Sequence, residues 1–289
     1  MDAEVSAFAD AVFERHGYDF RGYRHGALAN RLHNLCAKLQ LDSIPDLTEW
    51  TLRHPDRIRF VVDQITVPVT DLFREPETFA EVKRYVFPML TSFSTLTIWH
   101  AGCSSGQEVY SLAILLHEAG LYARSRIFAS DISGEMLRMA ARGHVPADQV
   151  EDAEKRYRQS GGAQNLTSYF SKSGDTARID PAMISNITFI EHNLATDGVF
   201  CEANLIFCRN VLIYFDRALQ NRALGLFSDS LIRGGYLCLG SREKPVGTGA
   251  TFVREQGCNL VYRPVTKARA QIGGLYDAGI AHRDRSGST

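Results

Sequence analysis

Two periods of apolar residues divide this chain. Up to about residue 90, apolar positions recur at three- and four-residue spacing, the mark of helices that bury one face. Val5, Phe8, Val12 and Phe13 share such a face, with Gly17 placed to cap it, and Leu28, Leu32, Leu35 and Leu39 form a second stripe. Ser43 opens a third helix, with Pro45 and Asp46 in its first turn and a stop before Pro55. Ile58, Val61 and Ile65 mark a fourth, over Asp56 to Ile65. The segment TVPVTDLFRE, with β-branched residues and Pro68, breaks the helical pattern, which returns from Pro76 to Leu90.

From about residue 95 the apolar residues come in short continuous runs: LTIWHA, RIFASDI, ITFIEHN, ANLIFCRN and GGYLCLG. Each ends at a polar or glycine-rich turn. Helical patterns at Gln107–Glu118, Ser133–Arg142 and Arg217–Ile232 lie between most of them. Buried strands alternating with helices predict an α/β fold, a parallel sheet covered on both faces, with ligands outside the carboxyl ends of its strands. Residues 144 to 186 depart from the alternation and read as a small β-rich insertion, closed by the strand at Ile187. TFVREQGCNLVYRP reads as a hairpin turning at Gln256 and Gly257. The expected organisation is a helical domain and linker helix over 1–90, an α/β domain over 91–264 with the β-subdomain inside 144–190, and a polar, disordered tail over 265–289.

Charge narrows the function classes. Lys and Arg number 32 against 33 Asp and Glu, which leaves no basic excess for bulk binding of nucleic acid or anionic membrane. No apolar run approaches the ~20 residues that span a bilayer, and the acidic N-terminus lacks the order of a signal peptide. The six cysteines form no CxxC pair, and most sit in apolar runs. They read as buried small hydrophobes in a reducing, cytoplasmic compartment. The nine histidines show no ligand spacing, so no metal is expected.

The candidate chemistry begins at HAGCSSGQEVYSLAILLHE, which follows a strand and opens a helix. Gly102 and Gly106 allow a tight turn and a close backbone approach. Their GxxxG spacing is not the dinucleotide fingerprint, and Glu108 stands just inside the helix. A pyrophosphate there would meet a carboxylate, whereas a cationic, phosphate-free ligand would be welcome. S-adenosylmethionine, with its sulfonium and ammonium, fits that description. Asp131, at the tip of the second strand in ASDIS, is placed to accept both hydrogen bonds of a ribose diol. EHNLATD offers Asn193 and Leu194 beside the adenine position. In FCRNVLIYFD, Asn210 either reads a ligand edge or takes a left-handed turn at the strand end.

Taken together, DLFREPETF at 71–79, AGCSSGQEVYSLA at 101–113, ASDIS at 129–133, HNLATD at 192–197, IFCRNVLIYFD at 206–216 and GGYLCLGSRE at 234–243 resemble the CheR family of chemoreceptor glutamate methyltransferases. The resemblance covers roughly residues 1–264. It implies an N-terminal helical domain, a Rossmann-like seven-stranded methyltransferase sheet and a small inserted β-subdomain. It also implies cofactor contacts at Thr70, Arg74, Glu108, Asp131, Asn193, Leu194, Asn210 and Val211. Leu72 stands where the family usually has an aromatic residue, and Gln107 replaces a glutamate. VPVT, TIWH and EVYSLAILL look closer to a branch found beside hybrid sensor kinases.

Methylation of a glutamate needs no general base, because the carboxylate is ionised at neutral pH and the sulfonium is already activated. Alignment and exclusion of water then supply the catalysis. Arg74 is the candidate to orient the incoming carboxylate or that of the cofactor, through its forked donors. Tyr214 either donates to the acceptor or is a core tyrosine. The helix from Arg24 to Lys38 matches the family's proposed receptor-reading helix, with Arg31 among its basic residues. The expected protein is a monomer acting on a chemoreceptor-like partner. Two alternatives stay open: a methyltransferase acting on a small molecule, and a non-catalytic module that senses S-adenosylmethionine.

Overall fold

The computed structural model describes residues 2–66, 70–245 and 252–265. Pro68 and the tail beyond residue 265, for which the sequence raises expectations, lie outside these described residues. The chain opens with four helices, α1 (Asp2–His16), α2 (His25–Leu39), α3 (Ile44–Arg53) and α4 (Ile58–Ile65). Most of each stripe is buried: Val5, Phe8 and Val12 meet Leu28, Leu32, Leu35, Leu47, Val61 and Ile65 in a core of their own, while Phe13, Leu39 and Ile58 are only half-buried. The ends are set by local chemistry. Gly17, with φ of 78°, closes α1 through its N–H on the Phe13 carbonyl, and the Ser43 hydroxyl accepts from the Asp46 N–H at the start of α3.

Helix returns as α5 (Pro76–Glu81), a π turn (Val82–Val86) and α6 (Phe87–Leu90). Pro88 has no N–H for the Arg84 carbonyl and would crowd it; the widened turn just before Pro88 relieves both problems.

The α/β part runs β1 (Leu96–Ala101), α7 (Gln107–Glu118), β2 (Ser125–Asp131), α8 (Gly134–Arg142), then the insertion, then β6 (Ile187–Glu191), β7 (Ala203–Cys208), α10 (Arg217–Ser230), β8 (Leu231–Leu239), β9 (Phe252–Arg254) and β10 (Val261–Pro264). The sheet has seven strands in the order β6-β2-β1-β7-β8-β10-β9. The first five are parallel, and β9 and β10 are the antiparallel hairpin at the edge. The chain leaves β1 towards β2 and β6, then returns to β1's other side with β7. The switch point, where such sheets bind ligands, therefore lies at the carboxyl end of β1. All-buried patterns along β7 and the last half of β8 reflect cover on both faces. Five of the six cysteines are buried and none is in a disulfide. Among the described residues, no helix is long and apolar enough to cross a membrane.

The insertion holds β3 (His144–Pro146), β4 (Phe170–Ser173) and β5 (Thr176–Ile179), an antiparallel sheet of order β3-β5-β4, and beside it helix α9 (Ala147–Gln159). It is fastened to the end of α7 by Glu118, a carboxylate only 5% exposed. Glu118 accepts from the hydroxyls of Tyr157 and Tyr169 and from the N–H groups of Ala163 and Gln164. Burial opposes its ionisation, but these donors outweigh burial and hold its pKa below the ordinary value. Glu118→Ala is expected to destabilise the protein by about 2–3 kcal/mol and to make residues 144–186 the first segment cut in limited proteolysis. An unchanged cleavage pattern would mean that the insertion is held some other way.

Candidate cofactor site

Between β1 and α7 the backbone turns through three residues of positive φ, Gly102 at 77°, Ser104 at 50° and Gly106 at 95°. Gly102 is required twice over, because a Cβ there would also strike the Val211 methyl. The turn is tied to β2: Gly102 and Cys103 donate their N–H groups to the Ser130 carbonyl at 2.8 and 2.9 Å, and Ser104 donates its N–H to Asp131 Oδ2 at 2.9 Å. Asp131 Oδ1 accepts from the Ser133 N–H at 2.9 Å. Each Asp131 oxygen thus keeps lone-pair capacity for a further donor while its position is fixed. Burial raises the Asp131 pKa, and the N–H donors of Ser133 and Ser104 partly offset it.

Around this turn lies a cavity of about 470 Å³, bounded by the carboxyl ends of β1, β2 and β7 and by the helical domain. Its wall brings together Thr70, Arg74, Gly102, Glu108, Asp131, Asn193, Leu194, Asn210, Val211 and Tyr214, ten positions drawn from five separate stretches of sequence. Helix α2 contributes Ala27, Asn30, Arg31 and Asn34, a stripe at helical spacing, and Ile65 and Thr66 come from the end of α4. The helical domain is held there by Arg24, whose N–H reaches the Tyr214 carbonyl at 2.8 Å and whose Nε reaches the Phe215 carbonyl at 3.1 Å. The Ser133 hydroxyl also donates to Asp63 at 2.6 Å.

Three side chains stand differently from a reading of bare functional groups. Glu108 is not an open carboxylate: it takes a 2.6 Å ion pair from Arg209 Nη1 and lies 3.5 Å from the buried His100 ring. Burial would push its pKa up, but Arg209 and His100 outweigh burial and hold it below the ordinary 4.5. The Asn193 amide oxygen accepts from the Ala195 N–H and so shapes its own turn. Asn210 takes the left-handed conformation at φ 59°, the turn that its place at the strand end allows, and lines the cavity.

Sequence reasoning assigned no role to Arg209, Glu75 or Glu243. Arg209 is fully buried at the end of β7 and also pairs through Nη2 with Glu75 at 3.0 Å and with the Arg74 carbonyl at 2.9 Å. The signal was present: an arginine ending the largely apolar run ANLIFC is buried with its charge, which calls for carboxylate partners. Glu243, 3% exposed, accepts from the N–H groups of Asn210, Val211, Leu212 and Gly240, and so fixes the loop that carries Asn210 and Tyr214.

Residues 68–256 match the family described as CheR methyltransferase, SAM binding domain, and residues 3–66 match its all-alpha domain. The chain belongs to the CheR methyltransferase family. Cher3 of Pseudomonas putida is 38% identical over 242 residues, covering 84% of this chain and 89% of Cher3. The chemotaxis protein methyltransferase of Listeria innocua is 30% identical over 84% of this chain and 91% of its own length. That of Vibrio parahaemolyticus is 32% identical over 91% and 97%.

As a CheR methyltransferase the chain uses S-adenosylmethionine, and the residues present fit that cofactor. The cavity volume suits a nucleoside-sized ligand. Among the described residues, the buried Ser104 hydroxyl and His192 Nδ1, on two residues of its wall, have no protein hydrogen-bond partner. Asp131 would take the ribose, Asn193 and Leu194 the base, and Arg74 and the Glu108 region the amino-acid end.

The Arg209 pairs generate a prediction with a defined pH sign. Glu75, like Glu108, would be raised by burial, but Arg209 and the Ser241 N–H hold it below 4.5. A carboxyl lowered in the folded state gives stability that is complete above the ordinary value and is lost as pH falls through its folded value. Arg209→Met is expected to cost about 3–5 kcal/mol at neutral pH by urea unfolding. That difference should shrink as pH falls: the stranded carboxyls, raised by burial, take up protons above 4.5, and the wild-type pairs lose their contribution below it. A pH-independent difference would contradict the assignment.

Proposed function

We propose that this CheR methyltransferase transfers the methyl group of S-adenosylmethionine to glutamate carboxylates of a chemoreceptor-like protein. The observation that carries the reading is the charge arrangement of the cavity wall. Among the described residues, the wall carries Arg31 and Arg74 beside Glu108, which Arg209 pairs, and Asp131, which accepts from two backbone N–H groups. An anionic acceptor is the complement of such a wall.

Bound S-adenosylmethionine supplies a methyl group already activated on a sulfonium. The chain's own part is positioning. Arg74 orients the acceptor carboxylate through its planar fork, and Tyr214 donates a hydrogen bond to it. The helical domain closes the outer side of the cavity and excludes water, which strengthens both interactions. No proton has to be removed from an ionised carboxylate, so no general base is required. The stripe Ala27, Asn30, Arg31 and Asn34 of α2 borders the cavity and is suited to meet the polypeptide that carries the glutamate.

The test uses labelled methyl donor and a receptor cytoplasmic fragment. The expected product releases methanol in mild base, as a carboxyl ester does. Arg74→Ala should lower kcat/KM by about 100-fold and Tyr214→Phe by about tenfold, with Tyr214→Phe leaving S-adenosylhomocysteine affinity nearly unchanged. Tight cofactor binding without transfer to any receptor fragment, or a base-stable product, would overturn the reading.

A further inference from the structure

Next to the cofactor cavity, and sharing Ala27 and Tyr214 with it, runs a second groove between the start of α2, the start of α10 and the loop after β8. Its walls carry four exposed cations: Arg24, Arg217, Arg242 and Lys244. The one acid in its lining, Glu243, is buried and accepts four backbone N–H groups, so it pairs with none of them. Neighbouring Asp216 caps α10 through the Leu219 N–H. Arg217, Arg242 and Lys244 have no ion-pair partner among the described residues. Like charges gathered without partners repel one another in the free protein, a cost that an anionic occupant would remove.

We infer that this groove docks an acidic segment of the substrate polypeptide, which enters along Arg242, Lys244 and Arg217 and passes Tyr214 to present one glutamate to the cavity. The inference rests on the proposed protein-carboxylate methylation and adds to it the track on which the acceptor lies. Charge complementarity names the occupant. A segment with several carboxylates would meet four cations outside the cavity, while the one carboxylate at its tip reaches Tyr214 and Arg74 within. Because the cations are exposed, the attraction acts mainly on encounter and register and weakens with salt. The groove thus selects glutamates with acidic neighbours.

The test separates docking from turnover. Fluorescence anisotropy measures binding of a labelled synthetic helix of glutamate and alanine to the full chain loaded with S-adenosylhomocysteine. The wild type is compared with R217E/R242E/K244E and with the milder R217Q/R242Q/K244Q, which guards against misfolding. S-adenosylhomocysteine affinity is expected to stay unchanged in both, since none of the three lines the cavity. Peptide affinity should fall on the order of tenfold or more in the reversal variant, and less in the glutamine variant. Equal peptide binding by wild type and variants, absence of binding by wild type, or equally good competition by single-stranded DNA would overturn the groove assignment and leave the methylation reading standing. Peptide binding with the predicted loss in the variants, but no methyl transfer to any receptor fragment, would support the groove and overturn the methylation reading.

Discussion

One buried guanidinium organises the cofactor side of this molecule. Arg209, at the end of β7, reaches Glu108 in the first turn of α7 and Glu75 in the segment that links the helical domain to the sheet. Three stretches far apart in sequence are thereby pinned to one point, and each carries a residue of the cavity wall. A buried charge is costly unless it is paired and hydrogen-bonded, and here the pairing is what brings Arg74, Glu108 and Asn210 together. The cost of burying Arg209 is offset only when all three stretches are in place. The arrangement therefore acts as a test of correct assembly as well as a scaffold.

The remaining geometry follows from what surrounds that point. The positive-φ turn after β1 needs Gly102, because Val211 occupies the space a side chain would fill. Asp131 and Glu243 do for their loops what a helix cap does for a helix: each places carboxylate oxygens against backbone N–H groups that have no ladder partner. Asp131, which lines the cavity, is thus fixed in orientation by the backbone, and Glu243 fixes from behind the loop that carries Asn210. The helical domain completes the enclosure through α2 and the end of α4, and its attachment at Arg24 ties it to the loop that bears Tyr214.

Much of this was legible in the order of residues. The strands announce themselves as apolar runs ending in polar turns, and Asp131 stands at the tip of one of them. Spacing alone selects Leu28, Leu32 and Leu35 as the buried face of α2. What local pattern could not carry was partnership over distance. Glu108 read as an open carboxylate because its partner lies 101 residues away, and the same arginine takes Glu75 from 134 residues away. The role of Glu243 is set by four N–H groups from two loops, which no periodicity encodes. Helix α9 lies in a stretch whose glycines and short strands dominate the pattern, although Val150, Ala153 and Tyr157 form its buried face.

The most direct measurement of this account is a crystal structure with S-adenosylhomocysteine bound. It should find the ligand in the cavity, its ribose on Asp131 and its amino-acid end towards Arg74 and Glu108, with both Arg209 pairs intact. A ligand seated elsewhere, or an Arg209 that leaves Glu75 or Glu108 to contact it, would contradict the claim that this guanidinium is the fixed point of the site.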